Sequence, residues 1–135
     1  FYNEEYLLPW WLEHHKKYFN HGIMINYAST DNSLSVIRQI CPDWTIINSR
    51  NQFFDAKLID DEVSNIESAV SGWKTCLNTT ELLVGDYSLM NNTINQEMTV
   101  PCFIMVDVEP GILPSYDKPL IEQSIMVFIT TVETP

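Results

Sequence analysis

From Glu4 to Phe19, apolar and aromatic residues return every three or four positions: Leu7, Leu8, Trp11, Leu12, His15 and Phe19. That spacing predicts a helix with these side chains on one core-facing side. Asn3 is placed to cap it, Glu4 and Glu5 suit its positive end, and Pro9 is expected to kink or restart it. Asn20, His21 and Gly22 form a stop signal, after which Ile23 to Tyr27 reads as a buried strand. Ser29 or Asp31 is placed to cap a second helix carrying Leu34, Val36, Ile37 and Ile40, which Pro42 ends. Trp44 to Asn48 is strand-like, and Ser49 to Gln52 is a loop. A longer helix is predicted from about Asp55 to Val70. It carries Ala56, Leu58, Ile59, Val63, Ile66 and Ala69 as a stripe between carboxylates that face water, the run Asp60-Asp61-Glu62 among them. Gly72 closes it, and a strand from Trp73 to Leu77, a turn from Asn78 to Glu81 and an apolar stretch from Leu82 to Val84 follow.

Helix and strand thus alternate with short connections, which predicts an α/β layer on a mainly parallel sheet. Beyond Asp86 the alternation stops. Val100 to Val108 is a strong strand, Glu109 to Pro119 a loop with Pro110, Pro114 and Pro119, and Leu120 to Val132 has the character of a short helix or a strand. The chain is expected to be one domain, with a first half over 1–86 and a partial second half over 87–135.

Length and charge narrow the function classes. At 135 residues the chain is one domain or an incomplete one, and its start at Phe1 without a leader-like segment suggests a piece of something longer. Seven Lys and Arg against 18 Asp and Glu give a net charge of -11. Nucleic acids and anionic lipid surfaces are bound chiefly through cations, so neither is an expected partner. No apolar run reaches the roughly 20 residues that cross a bilayer, and a cytoplasmic setting, of a cell or a virus-infected host cell, is expected. Cys41, Cys76 and Cys102 are too few and too scattered for a disulfide framework and are expected to be reduced and buried. Asn78-Thr79-Thr80 and Asn91-Asn92-Thr93 fit the glycosylation sequon, a frequent chance pattern in an Asn-rich chain. Glycine-rich dinucleotide or P-loop signatures are absent, as is a G-x-S-x-G elbow.

Open α/β sheets bind ligands beyond the carboxyl ends of their strands. That rule selects four polar loops: Tyr2 to Glu5, Ala28 to Asp31, Ser49 to Asn51, and Asn78 to Glu81. Together they offer carboxylates, hydroxyls and Arg50, a set suited to the base, ribose and phosphates of a nucleotide.

At these loops the chain resembles family-two-type glycosyltransferases of the GT-A fold. The resemblance rests on Asn3-Glu4-Glu5, on Trp11-Leu12 followed by His14 and His15, and on Gly22 with a strand ending in Ser29-Thr30-Asp31. It is closest to a branch found in bacteria and large algal viruses, covers about 1–86, and continues through Met105-Val106-Asp107 and Pro119 to Gln123. It implies a Rossmann-like nucleotide-sugar-binding fold, incomplete at both ends, and transfer of a sugar from a nucleoside-diphosphate donor, a UDP-sugar by preference, to a hydroxyl of a glycan or other acceptor. By the same resemblance Tyr2 and Asn3 would hold the nucleoside with Glu5 beside them, Asp31 would contact uracil or ribose, and Arg50 would lie against the base or a phosphate.

Two departures stand out. The family's D-x-D, which holds Mn²⁺ or Mg²⁺ on the diphosphate, is replaced by Asn78-Thr79-Thr80 with Glu81 next, leaving Asn78, Thr80 and Glu81 as candidate ligands. Asn26 to Ala28 stands where an aspartate often precedes S-T-D. Asp107 and Glu109, after a strand ending at Val106, are candidates for the catalytic carboxylate. Adjacent His14 and His15 point about 100° apart and do not suit a shared metal; His15 is expected to be packed and His14 solvated. Trp11 is read as core rather than as a sugar platform. Two other readings stand beside the enzyme: a nucleotide-sugar-binding or structural domain without turnover, and an unrelated α/β protein whose acidic surface docks a basic partner.

Overall fold

The computed structural model describes residues 1–72, 74–83, 102–108 and 111–131. Its elements are α1 (Leu8–His15), β1 (Ile23–Asn26), α2 (Ser33–Ile40), β2 (Thr45–Asn48), α3 (Ala56–Ala69), β3 (Cys102–Val108), a one-turn 3-10 helix (Leu120–Gln123) and β4 (Ser124–Thr131). They fall into two units, Phe1–Leu83 and Val84–Pro135.

In the first unit β1 and β2 pair in parallel, from Ile23 opposite Thr45 to Asn26 opposite Asn48. This is a mixed helix and strand arrangement with a small parallel sheet, the coarse class that the alternation predicts. On the other edge of β1 the amino group of Phe1 donates to Ile25 O at 2.8 Å and the Tyr27 N–H donates to Phe1 O at 3.0 Å. These are the bonds of a parallel pair with Phe1 opposite Asn26. Phe1, β1 and β2 therefore run side by side, and the residues after Phe1, Asn26 and Asn48 leave from one end.

The core joins Leu8, Trp11 and Leu12 of α1 to Met24, Ile37 and Cys41, with Phe1, Val36, Ile40, Trp44, Ile46, Leu77 and Leu82 packed around them. Leu8, Leu12 and Ile37 are wholly buried, each contributing about 1.5–3 kcal/mol by leaving water. Helix α1 is shorter than the sequence pattern predicts. Pro9 falls in its first turn, where a missing N–H costs nothing and the fixed φ suits a helix, so it starts the helix instead of kinking it. Leu7, not Asn3, occupies the N-cap position. Helix α3 matches its expected span, with the Asp55 carboxylate accepting the Leu58 N–H at 3.1 Å. Its stripe does not pack as expected: Ala56, Leu58 and Ala69 are exposed, and its one buried residue is Glu62, which the pattern had assigned to the water-facing side.

The predicted strand up to Leu77 does not form: Lys74 to Asn78 has no sheet pairing among the described residues, and Trp73 and Val84 lie outside them. The segment is held by α1 instead. The Trp11 Nε1–H is shared between Asn78 O at 2.9 Å and Glu81 O at 2.8 Å. His14 Nε2 donates to Leu83 O at 2.7 Å, and the Leu83 N–H donates to His15 Nε2 at 3.1 Å. Because His15 Nε2 accepts, its proton sits on Nδ1, which donates to Trp11 O at 2.8 Å. His14 is thus half-buried and bonded rather than solvated, while His15 is buried as predicted. Cys41 is buried, but Cys76, on this segment, is exposed.

In the second unit β3 and β4 are antiparallel, from Cys102 opposite Thr131 to Asp107 opposite Met126, with a register shift between Asp107 and Val108. The stretch from Leu120 is both things that the pattern allowed, one turn of helix and then a strand. Asp107 lies within the β3 ladder rather than in a loop beyond it. Val100, Glu109, Val132 and the sequon at 91–93 fall outside the described residues.

Two outcomes follow from this packing. A Cβ on Gly22 would run into the Trp44 ring, so Gly22→Ala is expected to lower stability by about 1–3 kcal/mol in urea unfolding. Burial lowers the pKa of His15 to about 4, outweighing its bond to Trp11 O. The unfolded chain then binds the extra proton below about pH 6.5, so the stability His15 contributes is complete above that pH and is lost as pH falls to about 4, a span of roughly 3 kcal/mol. Urea midpoints measured between pH 7 and pH 4 should show this loss, and His15→Asn should lack that component.

Candidate functional site

The carboxyl ends of the parallel strands carry three loops, and side chains bind them to each other. The first two are laced together at the start of α2. Asn3 Oδ1 accepts the N–H of Thr30 at 2.7 Å and of Asp31 at 3.4 Å, and its own N–H donates to Ser29 Oγ at 3.0 Å. The Glu4 N–H donates to Ser33 Oγ at 2.9 Å. Glu5 and Asp31 exchange roles across the gap. The Glu5 N–H donates to Asp31 Oδ2 at 3.0 Å, while Glu5 Oε2 accepts the Asn32 N–H at 2.8 Å and Asp31 Oδ1 the Ser33 N–H at 3.0 Å. The N–H groups of Thr30 to Ser33, which lead into and open α2, are thereby met by an amide and two carboxylates, as the positive helix end favours.

Asn26 links this pair of loops to the third. Only 6 % exposed, it donates from Nδ2 to Asn48 Oδ1 at 3.1 Å and accepts the Ser29 N–H on Oδ1 at 2.9 Å. A carboxylate at this position would lack the donor that reaches Asn48, so the amide serves the strand pair. The third loop is closed by Glu62, which accepts from Ser49 Oγ at 2.6 Å, from the Arg50 N–H at 2.8 Å and from Asn51 Nδ2 at 3.0 Å. Among the described residues the Tyr27 hydroxyl, cut off from water near Ser49 and Glu62, has no hydrogen bond of ordinary geometry, and burial together with the Glu62 charge raises its pKa.

Electrostatics at this edge favours ionised carboxylates. Partial desolvation pushes the Asp31 and Glu62 pKa values up. Hydrogen bonds outweigh it, from Ser33 and Glu5 to Asp31, and from Ser49, Arg50 and Asn51 to Glu62, so both carboxyls lie below the usual range. The free surface is aromatic and cationic by contrast. Tyr2 is 58 % exposed, Phe53 and Phe54 still more so, and the Arg50 side chain is exposed.

Of the sequence-selected residues, Asn3, Glu5 and Asp31 come together in one bonded cluster, with Tyr2 next in the chain and Arg50 on the adjoining loop. Asn78, Thr80 and Glu81 do not join them through any hydrogen bond among the described residues. Their segment is bonded to α1, and the Glu81 carboxylate accepts the Asn78 N–H at 2.7 Å. No group of three or more His, Cys, Asp or Glu residues suited to a metal occurs among the described residues. Glu62, Asn26 and Ser33 were missed as organisers of the edge. For Glu62 a signal was present: it lies three residues after Ile59 and four before Ile66, within the buried side of α3.

Comparison with family models, curated proteins and solved structures finds no match. The site is therefore read from its own chemistry.

Asn3 and Ala28 both have positive φ, 52° and 59°. Asn tolerates this region, whereas a Cβ-bearing alanine is strained there. Ala28→Gly is expected to raise stability by about 1 kcal/mol and Ala28→Val to lower it by more than that, as read from thermal melting.

Proposed function

We propose that the first unit is the nucleotide-sugar-binding part of a GT-A glycosyltransferase. The observation that carries this reading is the convergence of Tyr2, the Asn3–Glu5–Asp31 cluster and Arg50 at the carboxyl ends of parallel strands, with Phe1 opposite Asn26. Strand ends of this kind are where open α/β sheets take nucleotides. In this reading Tyr2 lies against the base, the lone pairs that the Asp31 and Glu5 carboxylates keep beyond the backbone N–H groups they accept are offered to the ribose hydroxyls, and Arg50 meets the diphosphate. Transfer would proceed by attack of an acceptor oxygen on the anomeric carbon as the bond to the diphosphate breaks, with a carboxylate taking the acceptor proton. The setting proposed is cytoplasmic, with a UDP-sugar as donor and a glycan or other hydroxyl compound as acceptor.

The charge on the diphosphate decides the role of a metal. Asn78, Thr80 and Glu81 offer a single carboxylate, already engaged by the Asn78 N–H, and the Asn78 and Glu81 carbonyls are engaged by Trp11. This set does not fit Mn²⁺ or Mg²⁺ in the manner of a D-x-D, and Arg50 is left as the cation that offsets the diphosphate. The same observation favours a second reading, binding of a nucleotide sugar without turnover.

Calorimetric titration with UDP and UDP-sugars tests the proposal. Binding is expected, changed less than about threefold by Mn²⁺ and weakened about tenfold by Arg50→Ala, which removes a charge-assisted contact. No binding to any of these ligands, with or without metal, would refute it. Binding without sugar transfer or donor hydrolysis would select the second reading.

A further inference from the structure

Glu62 is a buried carboxylate, 6 % exposed, on an otherwise thinly buried helix. Removing an ionised carboxylate from water is costly unless donors replace the water. Here three donors do so, and they come from three consecutive residues of one turn, Ser49, Arg50 and Asn51. The turn is closed further by the Asn51 N–H on Ser49 Oγ at 3.0 Å and by Asn51 Nδ2 on Leu58 O at 3.3 Å. At its centre stands Arg50, whose backbone is gripped while its side chain is exposed. Among the described residues the guanidinium makes no ion pair within 4.0 Å. A buried anion thus fixes the backbone of a turn and leaves the one cation on that turn available at the carboxyl end of β2.

We propose that Glu62 is the positioning residue for Arg50: it sets the turn so that the guanidinium meets the diphosphate of the bound nucleotide, an inference that rests on the nucleotide reading above. Glu62 does not touch the ligand. Its effect passes through Arg50, so it should appear only with ligands that carry the diphosphate and only while Arg50 is present.

Titration of the full chain with UDP and with uridine separates these effects. Arg50→Ala is expected to weaken UDP about tenfold and to leave uridine within about twofold. Glu62→Gln keeps the shape but turns an acceptor into a donor facing the donors of the turn, and should show the same pattern at about three- to tenfold. The double variant should bind UDP no more weakly than Arg50→Ala alone, because residues acting through one contact are not additive. Should Glu62→Gln fail to fold by circular dichroism, Ser49→Ala, which removes one of the three donors, carries the comparison with about a threefold loss of UDP affinity. Equal weakening of uridine and UDP, or additive losses in the double variant, would overturn the role of Glu62 while leaving the nucleotide reading intact. Absence of UDP and uridine binding by the unaltered protein would overturn both.

Discussion

The N–H groups that open α2 constrain the first unit more than any other feature. The chain entering α2 presents the N–H groups of Thr30 to Ser33, and their acceptors come from residues 27 and 28 positions earlier in the chain as well as from Asp31. Asn3 and Glu5 can reach those groups only if the chain leaves Phe1 beside the end of β1, which the bonds of Phe1 to Ile25 and Tyr27 provide. The parallel register, the entry into α1 and the seating of Ser33 against Glu4 then follow as one set. Acceptors for the entry to one helix and the polar atoms that line the carboxyl ends of the strands are the same atoms.

This dual use explains why polar residues are buried at one end of a small core. Ser33, Asn26 and Glu62 are each nearly shut off from water, and each has partners that replace it. On α1, the nitrogens of Trp11, His14 and His15 take the backbone of 78–83 in place of a strand ladder. Leu77 and Leu82 add the apolar part of that contact. An acidic chain thereby keeps its cations for the surface, and Arg50 is presented on a turn whose backbone is held by a buried anion.

The apolar rhythm made α1, α2, α3 and both strands of the first unit legible, since periodicities of 3.6 and 2 are local properties. It failed at the strand expected from Trp73 to Leu77, whose described part, Lys74 to Leu77, has no sheet pairing among the described residues, while α1 is hydrogen-bonded to the backbone that follows at Asn78, Glu81 and Leu83. The strand read over Val100 to Val108 agrees with β3 in its described part, and it is the separate placing of Asp107 beyond a strand ending at Val106 that the structure corrects. Three of the four polar loops stand at the carboxyl ends of the paired strands while Asn78 to Glu81 is bonded to α1, and the bonding within the three was not legible: both Asp31 oxygens accept backbone N–H groups, one of them from Glu5.

By itself the sequence determined the existence of α1, α2, α3, β1 and β2, that the charge of -11 disfavours polyanionic partners, and that Asn3, Glu5, Asp31 and Arg50 are polar residues in loops. Those facts depend on composition and on spacings within one element. Only the tertiary structure decided that Glu62 is buried under the Arg50 turn, that Asn26 bridges to Asn48, and that Asn78 to Glu81 lies bonded to α1. The reason is that a side chain's role as ligand group, cap or brace depends on which donors and acceptors the fold brings within about 3 Å of it, and those come from distant parts of the chain.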